Sequence, residues 1–122
     1  MQPKSPKLLE DIRDGASFVR EVTQGRTLDD YSKDRLLRQA VERNFEIIGE
    51  AVRRLAQHDP QTAERIGDYQ RIISFRNILI HGYDLVNHAL VWSTIENELV
   101  LLLDQVERLI VEVSTAKRVS GT

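Results

Sequence analysis

Apolar residues recur at helical spacing in four long segments of the chain. Residues three or four positions apart share one face of an α-helix, so each series predicts an amphipathic helix with one buried side. No segment shows the alternation of apolar and polar residues that is typical of strands. The pattern therefore predicts an all-α fold, an up-and-down bundle of four main helices. The four series are Leu8, Leu9, Ile12, Ala16, Val19 and Val22; Leu37, Val41, Phe45, Ile48, Val52 and Leu55; Ile72, Phe75 and Leu79; and Leu90, Ile95, Leu99, Leu102, Val106, Leu109 and Val113.

Capping and helix-breaking residues delimit the first two helices. The dipeptide Ser5-Pro6 indicates an N-cap followed by proline in the first turn. Thr27 and Asp30 resemble a capping box, from which a long second helix is expected to run to Gln57. Pro60 ends that helix, because proline cannot continue the backbone hydrogen bonds.

A short connector and two further helices follow. The connector helix is expected over residues 61–66 and the third main helix over residues 68–81. Gly82 ends the third helix and suits the left-handed conformation that often closes one. Asn87 is expected to cap the fourth helix, which continues to about Val113.

Length and composition restrict the class of protein. The chain of 122 residues fits one domain, 1–122, with its core over 5–113 and a flexible tail over 114–122. With 17 Lys and Arg against 19 Asp and Glu, the net charge of -2 argues against indiscriminate binding to duplex nucleic acid, although a local patch remains open. No cysteine is present, which excludes a disulfide scaffold and a thiol nucleophile and suits a reducing cytoplasm. The longest apolar run, 99–103, is too short to cross a bilayer, so we expect no membrane partner.

The histidines do not form a metal-ligand pattern. His58, His81 and His88 are accompanied by no cysteine and by no Glu-x-x-His segment. We therefore expect no metal site and no cofactor. His58 and His88 are expected to be ordinary residues at helix boundaries.

Glu46 and Glu50 lie four residues apart, so both carboxylates share one face of the second helix. The pair suits acid and base catalysis, but arginines at positions 43, 53 and 54 favour an ion-paired surface instead. Gly49 lies in the middle of this helix, where a glycine is about 1 kcal/mol less favourable for helix stability than an alanine. A tight helix crossing or a dimer contact is the expected reason for this glycine.

The segment 74–84 concentrates groups that can do chemistry. Asn77 and His81 are four residues apart on one helix face, Arg76 flanks them, and Tyr83 follows in the turn. The C-terminus of a helix favours a protonated imidazole at His81. A purely structural alternative is also open, in which Arg76 pairs with an acid such as that at position 68 or 84 and the other groups merely end a helix.

The motif Arg76-x4-His81-x-Tyr83, with Asn77 after the arginine, resembles the R-x4-6-H motif of HEPN domains. Its R-x4-H-x-Y form is typical of HepT-like toxins, which are encoded beside a minimal nucleotidyltransferase antitoxin. The segment Ile48-Gly49-Glu50-Ala51 is similar to that family as well, and the resemblance covers about residues 5–113.

The resemblance implies a homodimer in which two motifs face each other across a cleft and cleave RNA without metal. It implies that His81 is the general acid or base, that Arg76 clamps the phosphate and that Asn77 orients the ring or the substrate. Tyr83 would be the residue to which the partner nucleotidyltransferase transfers AMP as an off switch. Glu50 and Gly49 would be supporting residues of the site.

Two other functions are compatible with the same residues. A non-catalytic HEPN module would bind a nucleotide or serve as the partner subunit of a nucleotidyltransferase. A helical dimerisation protein would bind no ligand and would show an apolar dimer face. The presence of both Arg76 and His81 favours the nuclease.

Overall fold

The computed structural model describes residues 1–82, 84 and 86–120, with side chains up to residue 116. This part of the chain contains helices and no strand, which confirms the predicted all-α bundle. None of these helices is both long and apolar enough to span a membrane. The helices are α1 (Ser5–Thr23), α2 (Leu28–Lys33), α3 (Arg35–His58), α4 (Pro60–Ala63), α5 (Tyr69–His81), α6 (His88–Asn97) and α7 (Leu99–Ser120).

Helix α3 is the central element of the bundle. It packs against α1 on one side and against α5 on another, and α1 also packs against α7. The predicted apolar series of α3 is buried, with Val41, Ile48, Val52 and Leu55 fully enclosed. Because α5 rests mainly on α3, the position of the segment 74–81 depends on the surface of α3.

The predicted second helix is two helices, α2 and α3. The Thr27–Asp30 capping box is confirmed: Thr27 Oγ1 accepts from the Asp30 amide at 3.1 Å, and Asp30 Oδ2 accepts from the Thr27 amide at 2.9 Å. However, the helix that it starts ends at Lys33, and Asp34 is extended. Asp34 Oδ1 accepts a hydrogen bond from the Leu37 amide at 3.0 Å and so starts a new helix. The prediction of one uninterrupted helix was wrong, because the carboxylate of Asp34 takes the place of a backbone carbonyl as the acceptor for a backbone amide.

The predicted fourth helix is also divided, into α6 and α7. Asn87 caps α6 as expected, with its Oδ1 accepting from the Leu90 amide at 2.7 Å. The break is at Glu98, whose φ of -122° departs from helical geometry, and the carboxylate of Glu98 pairs with Arg71 at 2.9 Å. Leu90 was expected in the core but is 37% exposed, and α7 continues to Ser120 instead of ending near Val113.

Asp59 ties the start of α1 to the end of α3. Ser5 is the first residue of α1 rather than its cap, and its Oγ donates to Asp59 Oδ2 at 2.8 Å. Thr62 Oγ1 and the Gln2 amide donate to the same oxygen at 2.6 and 3.1 Å. Burial alone would raise the pKa of the Asp59 carboxyl, but the hydrogen bonds, led by that from Thr62, lower it to about 2. The connector helix α4 covers Pro60–Ala63 and is therefore shorter than the predicted range of 61–66.

Candidate functional site

Helices α3 and α5 cross at Gly49 with almost no space between them. A Cβ atom placed on Gly49 would lie 2.2 Å from Cβ and 2.6 Å from Cγ of Arg76. Contacts this short do not occur, so only glycine lets the stem of Arg76 rest on the backbone of α3. The close helix crossing predicted for Gly49 is therefore confirmed, and the residue that makes it is the arginine of the motif.

Arg76 is held at this crossing by two polar neighbours. Its Nη2 lies 3.0 Å from Oε2 of Glu50, and its Nη1 donates to Oδ1 of Asn77 at 3.0 Å. The side chain is only 20% exposed, and its Nε is buried without a hydrogen-bond partner in the described part of the chain. Arg76 thus pairs with Glu50 on a different helix, and not with Asp68 or Asp84 as the structural alternative supposed.

Glu50 accepts hydrogen bonds from two arginines, Arg53 and Arg54, in addition to its ion pair with Arg76. Oε1 accepts from Arg53 Nη2 at 2.7 Å and from Arg54 Nε at 3.0 Å, while Oε2 also accepts from Arg53 Nε at 3.1 Å. The hydrogen bond from Arg53 is the largest cause that lowers the pKa of the Glu50 carboxyl to about 2, with Arg54 and the charge of Arg76 acting in the same direction. Glu50 is therefore ionised at neutral pH. An ionised carboxylate is suited to positioning cations and not to transferring protons.

The ion-paired surface favoured from the sequence is confirmed by these contacts of Glu50. Glu46 likewise pairs with Arg43 at 3.2 Å.

His81 is the last residue of α5 and is exposed. It lies one helical turn after Asn77, as the spacing required, and within the described residues its side chain has no hydrogen bond. Gly82 follows and donates its amide to the Ile78 carbonyl at 2.9 Å. Its φ of -115° is not left-handed, so the predicted left-handed closure of α5 was wrong. Tyr83, predicted as the modification site, lies outside the described residues.

A surface groove of about 250 Å³ lies beside Arg76 and Glu50, and neither Asn77 nor His81 lines it. It lies between α1, α3 and α5, and Arg76, Glu50 and Arg54 form part of its wall. Ile47 and Ile80 also line it, and they are 38% and 37% exposed. The groove therefore offers charged groups to a polar ligand and two apolar side chains beside them.

A second cavity of about 250 Å³ lies between α3, α5 and the junction of α6 with α7. Its floor is apolar, with Phe45 and Phe75 in edge-to-face contact at 5.2 Å between ring centroids. The Arg71–Glu98 ion pair lies at its rim. None of the described motif residues lines this cavity, and we therefore place the site at the groove that contains Arg76.

The sequence indicates both Glu50 and Arg76 as site residues, but it does not show that they pair with each other. The neighbouring glycine was the available signal, since a glycine inside a helix marks the point where another helix can come close. The side chain of a charged residue next to such a glycine can therefore contact a residue of the second helix. No group of three or more His, Asp or Glu residues in the described part of the chain is arranged to hold a metal ion.

Comparison with known proteins places the chain in a family. A family model described as "Ribonuclease HepT-like" matches residues 12–109. The chain is 34% identical over 108 residues to "Putative RNase TTE0752" of Caldanaerobacter subterraneus, covering 88% of this chain and 96% of that protein. It is 29% identical over 101 residues to "Probable ribonuclease HepT" of Thermococcus cleftensis, covering 83% and 91% of the two chains. No solved structure matches the chain.

The matched range contains the crossing of α3 and α5 together with the whole segment 74–84. It therefore agrees with the family that the motif at 76–83 indicated from the sequence. The chain belongs to the HepT-like ribonuclease family.

Proposed function

We propose that this protein is an RNA endonuclease that acts as a homodimer and needs no metal ion. Arg76, Asn77 and His81 are its proposed catalytic residues. The observation that carries the proposal is the fixed position of Arg76, which is seated on Gly49, paired with Glu50 and still in contact with a surface groove. The names of the relatives, which include ribonucleases, support the same activity.

A rigid guanidinium suits the chemistry of RNA cleavage. A base removes the proton from the ribose 2′-OH, and the 2′ oxygen attacks the adjacent phosphorus. The P–O5′ bond then breaks and an acid protonates the leaving 5′ oxygen, which leaves a 2′,3′-cyclic phosphate. Negative charge grows on the phosphate oxygens during this step, and Arg76 would stabilise it most strongly if it does not have to move.

The exposed imidazole of His81 is the proposed proton carrier. It lies on the same face of α5 as Asn77, whose side chain already contacts Arg76. One histidine cannot act as base and acid in the same step, so a second copy of the chain would supply the other. Ile47 and Ile80, partly exposed beside the groove, are suitable apolar contacts for that second copy.

The test is cleavage of a single-stranded transcript and of total tRNA by purified protein in excess EDTA. We expect cleavage with 2′,3′-cyclic phosphate ends, because the proposed step uses side chains alone. Cleavage that requires added Mg²⁺ or that leaves other ends would contradict the mechanism. Absence of cleavage with the dimer intact would favour the alternative, a non-catalytic HEPN module that binds a nucleotide or a nucleotidyltransferase.

We further propose that a nucleotidyltransferase antitoxin neutralises the activity by transferring AMP from ATP to the hydroxyl of Tyr83, with release of pyrophosphate. Tyr83 follows His81 by two residues, so an added phosphate would bring negative charge close to the motif. This charge would repel RNA and compete for Arg76. Coexpression with a nucleotidyltransferase encoded beside the gene, followed by mass spectrometry, should show the mass of AMP on the peptide that contains Tyr83. An unmodified peptide from an inhibited protein would exclude this mode of neutralisation.

A further inference from the structure

Three guanidinium groups converge on the carboxylate of Glu50. Arg76 approaches it from α5 at 3.0 Å, and Arg53 and Arg54 approach it from α3 at 2.7 and 3.0 Å. One carboxylate cannot neutralise three cations, so this cluster has an excess of two positive charges. We call the four residues the Glu50 cluster.

The excess charge belongs to the Glu50 cluster, of which Glu50, Arg54 and Arg76 line the groove. Among the described residues, the two other acids in the groove wall each have one cationic partner: Glu46 pairs with Arg43 at 3.2 Å, and Asp11 pairs with Lys7 at 2.8 Å. The chain as a whole has a net charge of -2. Because the protein as a whole is acidic, a local excess of arginine favours the binding of an anion at this position and not elsewhere on the surface.

Arg53 and Arg54 remain open to solvent although they are paired. Their side chains are 39% and 59% exposed, against 20% for Arg76. Within the described residues Arg54 uses only Nε in a hydrogen bond, and Arg53 uses Nε and Nη2. A guanidinium has further N–H donors, so both can bind a phosphate while they stay bonded to Glu50.

We propose that Arg53 and Arg54 form a second phosphate subsite, which binds the RNA phosphate next to the one at Arg76. This inference rests on the proposed function, which puts the scissile phosphate at Arg76. Because all three arginines share one carboxylate, phosphates bound at the two positions can be neighbours on the same strand. The subsite directs the RNA backbone along α3, and the planar fork of arginine suits this contact better than lysine would.

The test measures binding of a fluorescent single-stranded 2′-O-methyl RNA, which lacks the attacking hydroxyl and cannot be cleaved. Wild-type protein is compared with a double variant, Arg53→Ala with Arg54→Ala, over a series of salt concentrations. We expect the double variant to bind roughly tenfold more weakly at 0.1 M salt and to reduce the slope of log K against log salt by about 0.7 for each lost contact. The matched control is Arg108→Ala, which removes an exposed arginine from an i,i+4 pair with Asp104 on α7.

Kinetics on the unmodified RNA separates binding from positioning. If Arg53 and Arg54 bind the neighbouring phosphate, which does not react, the double variant raises KM and leaves kcat within about twofold. If they only position Glu50 and Arg76, kcat falls while the salt slope stays that of the wild type, and the subsite is excluded. An equal loss of affinity in Arg108→Ala would also exclude it, because the effect would then be one of general charge.

The binding and cleavage results together show whether only the subsite is wrong or the proposed function as well. Wild-type protein that neither binds the 2′-O-methyl RNA nor cleaves the unmodified RNA would contradict both. Wild-type protein that cleaves RNA, together with a double variant that binds and cleaves equally well, would overturn the subsite alone. Arg54→Lys, which keeps the charge, should retain most of the salt slope if the contact is electrostatic.

Discussion

Glu50 and Arg76 form a 3.0 Å ion pair across the crossing of α3 and α5, and Gly49 lets the two helices come close enough to make it. The arginine of the motif is therefore fixed both by shape and by charge. A cation held in this way does not need to reorganise when charge develops on a bound phosphate.

Substitution of the crossing glycine should displace Arg76. In Gly49→Ala the new methyl group would overlap Cβ and Cγ of Arg76, so α5 must move away from α3. We expect a loss of stability of about 1–3 kcal/mol by chemical denaturation and a loss of cleavage. The control is Gly67→Ala, whose new Cβ would lie 3.1 Å from Nε2 of Gln105, the flexible end of a side chain. Equal stability of the Gly49 and Gly67 variants would show that the crossing is not tight.

Removal of the Glu50 charge should affect turnover more than folding. Glu50→Gln keeps the shape of the side chain but no longer holds Arg76 by an ion pair. We expect kcat to fall by about tenfold or more without a rise in KM for RNA, because a misplaced arginine stabilises the transition state less well. Unfolding should change by less than about 1 kcal/mol, since the pairs of Glu50 are partly exposed. An unchanged kcat would remove Glu50 from its positioning role.

The pH dependence of cleavage should not come from Glu50. Its hydrogen bonds lower its pKa to about 2, so the carboxylate stays ionised until the pH falls well below 4. The cleavage profiles of the wild type and of Glu50→Gln should therefore have the same shape between about pH 5 and 8. A transition in this range that disappears in Glu50→Gln would contradict the assignment.

The buried carboxylate of Asp59 should contribute to stability in a way that depends on pH. The lowered pKa of Asp59 means that its contribution is present above the ordinary aspartate pKa of about 4 and is lost as the pH falls toward 2. Asp59→Asn should reduce the free energy of unfolding at pH 7 by about 1–3 kcal/mol, because hydrogen bonds from Ser5 and Thr62 lose their charged acceptor. Denaturation curves at several pH values should show the difference from the wild type shrinking between about pH 4 and 2. A difference that stays constant over this range would show that the Asp59 charge is not responsible.

The sequence predicted local features of the fold better than relationships between elements. The capping box at Thr27 and Asp30 and the cap at Asn87 depend on neighbouring residues, and both are present as predicted. The break at Asp34 was not predicted, because the apolar series begins only at Leu37 and does not show where the helix started by the capping box ends. The separate packing of α2 on α6 becomes evident only in the structure.

The site was predictable in its composition but not in its connections. Spacing alone placed Asn77 and His81 one turn apart on α5. The partner of Arg76 could not be derived in the same way, because Glu50 lies 26 residues earlier and only the crossing of two helices brings them together. Sequence patterns report which face of a helix is buried, and they do not report which charged residues of two helices meet.

Two histidines in equivalent places allow the assignment of the active site to be tested. His81 ends α5 and His58 ends α3, and both are exposed, so their removal should affect folding to a similar small extent. We predict that His81→Ala lowers the rate of RNA cleavage in EDTA by about a hundredfold or more, as expected for loss of a general acid or base, while His58→Ala cleaves like the wild type. Cleavage by His81→Ala at the wild-type rate, with the purified variant folded and dimeric, would contradict the assignment of the active site.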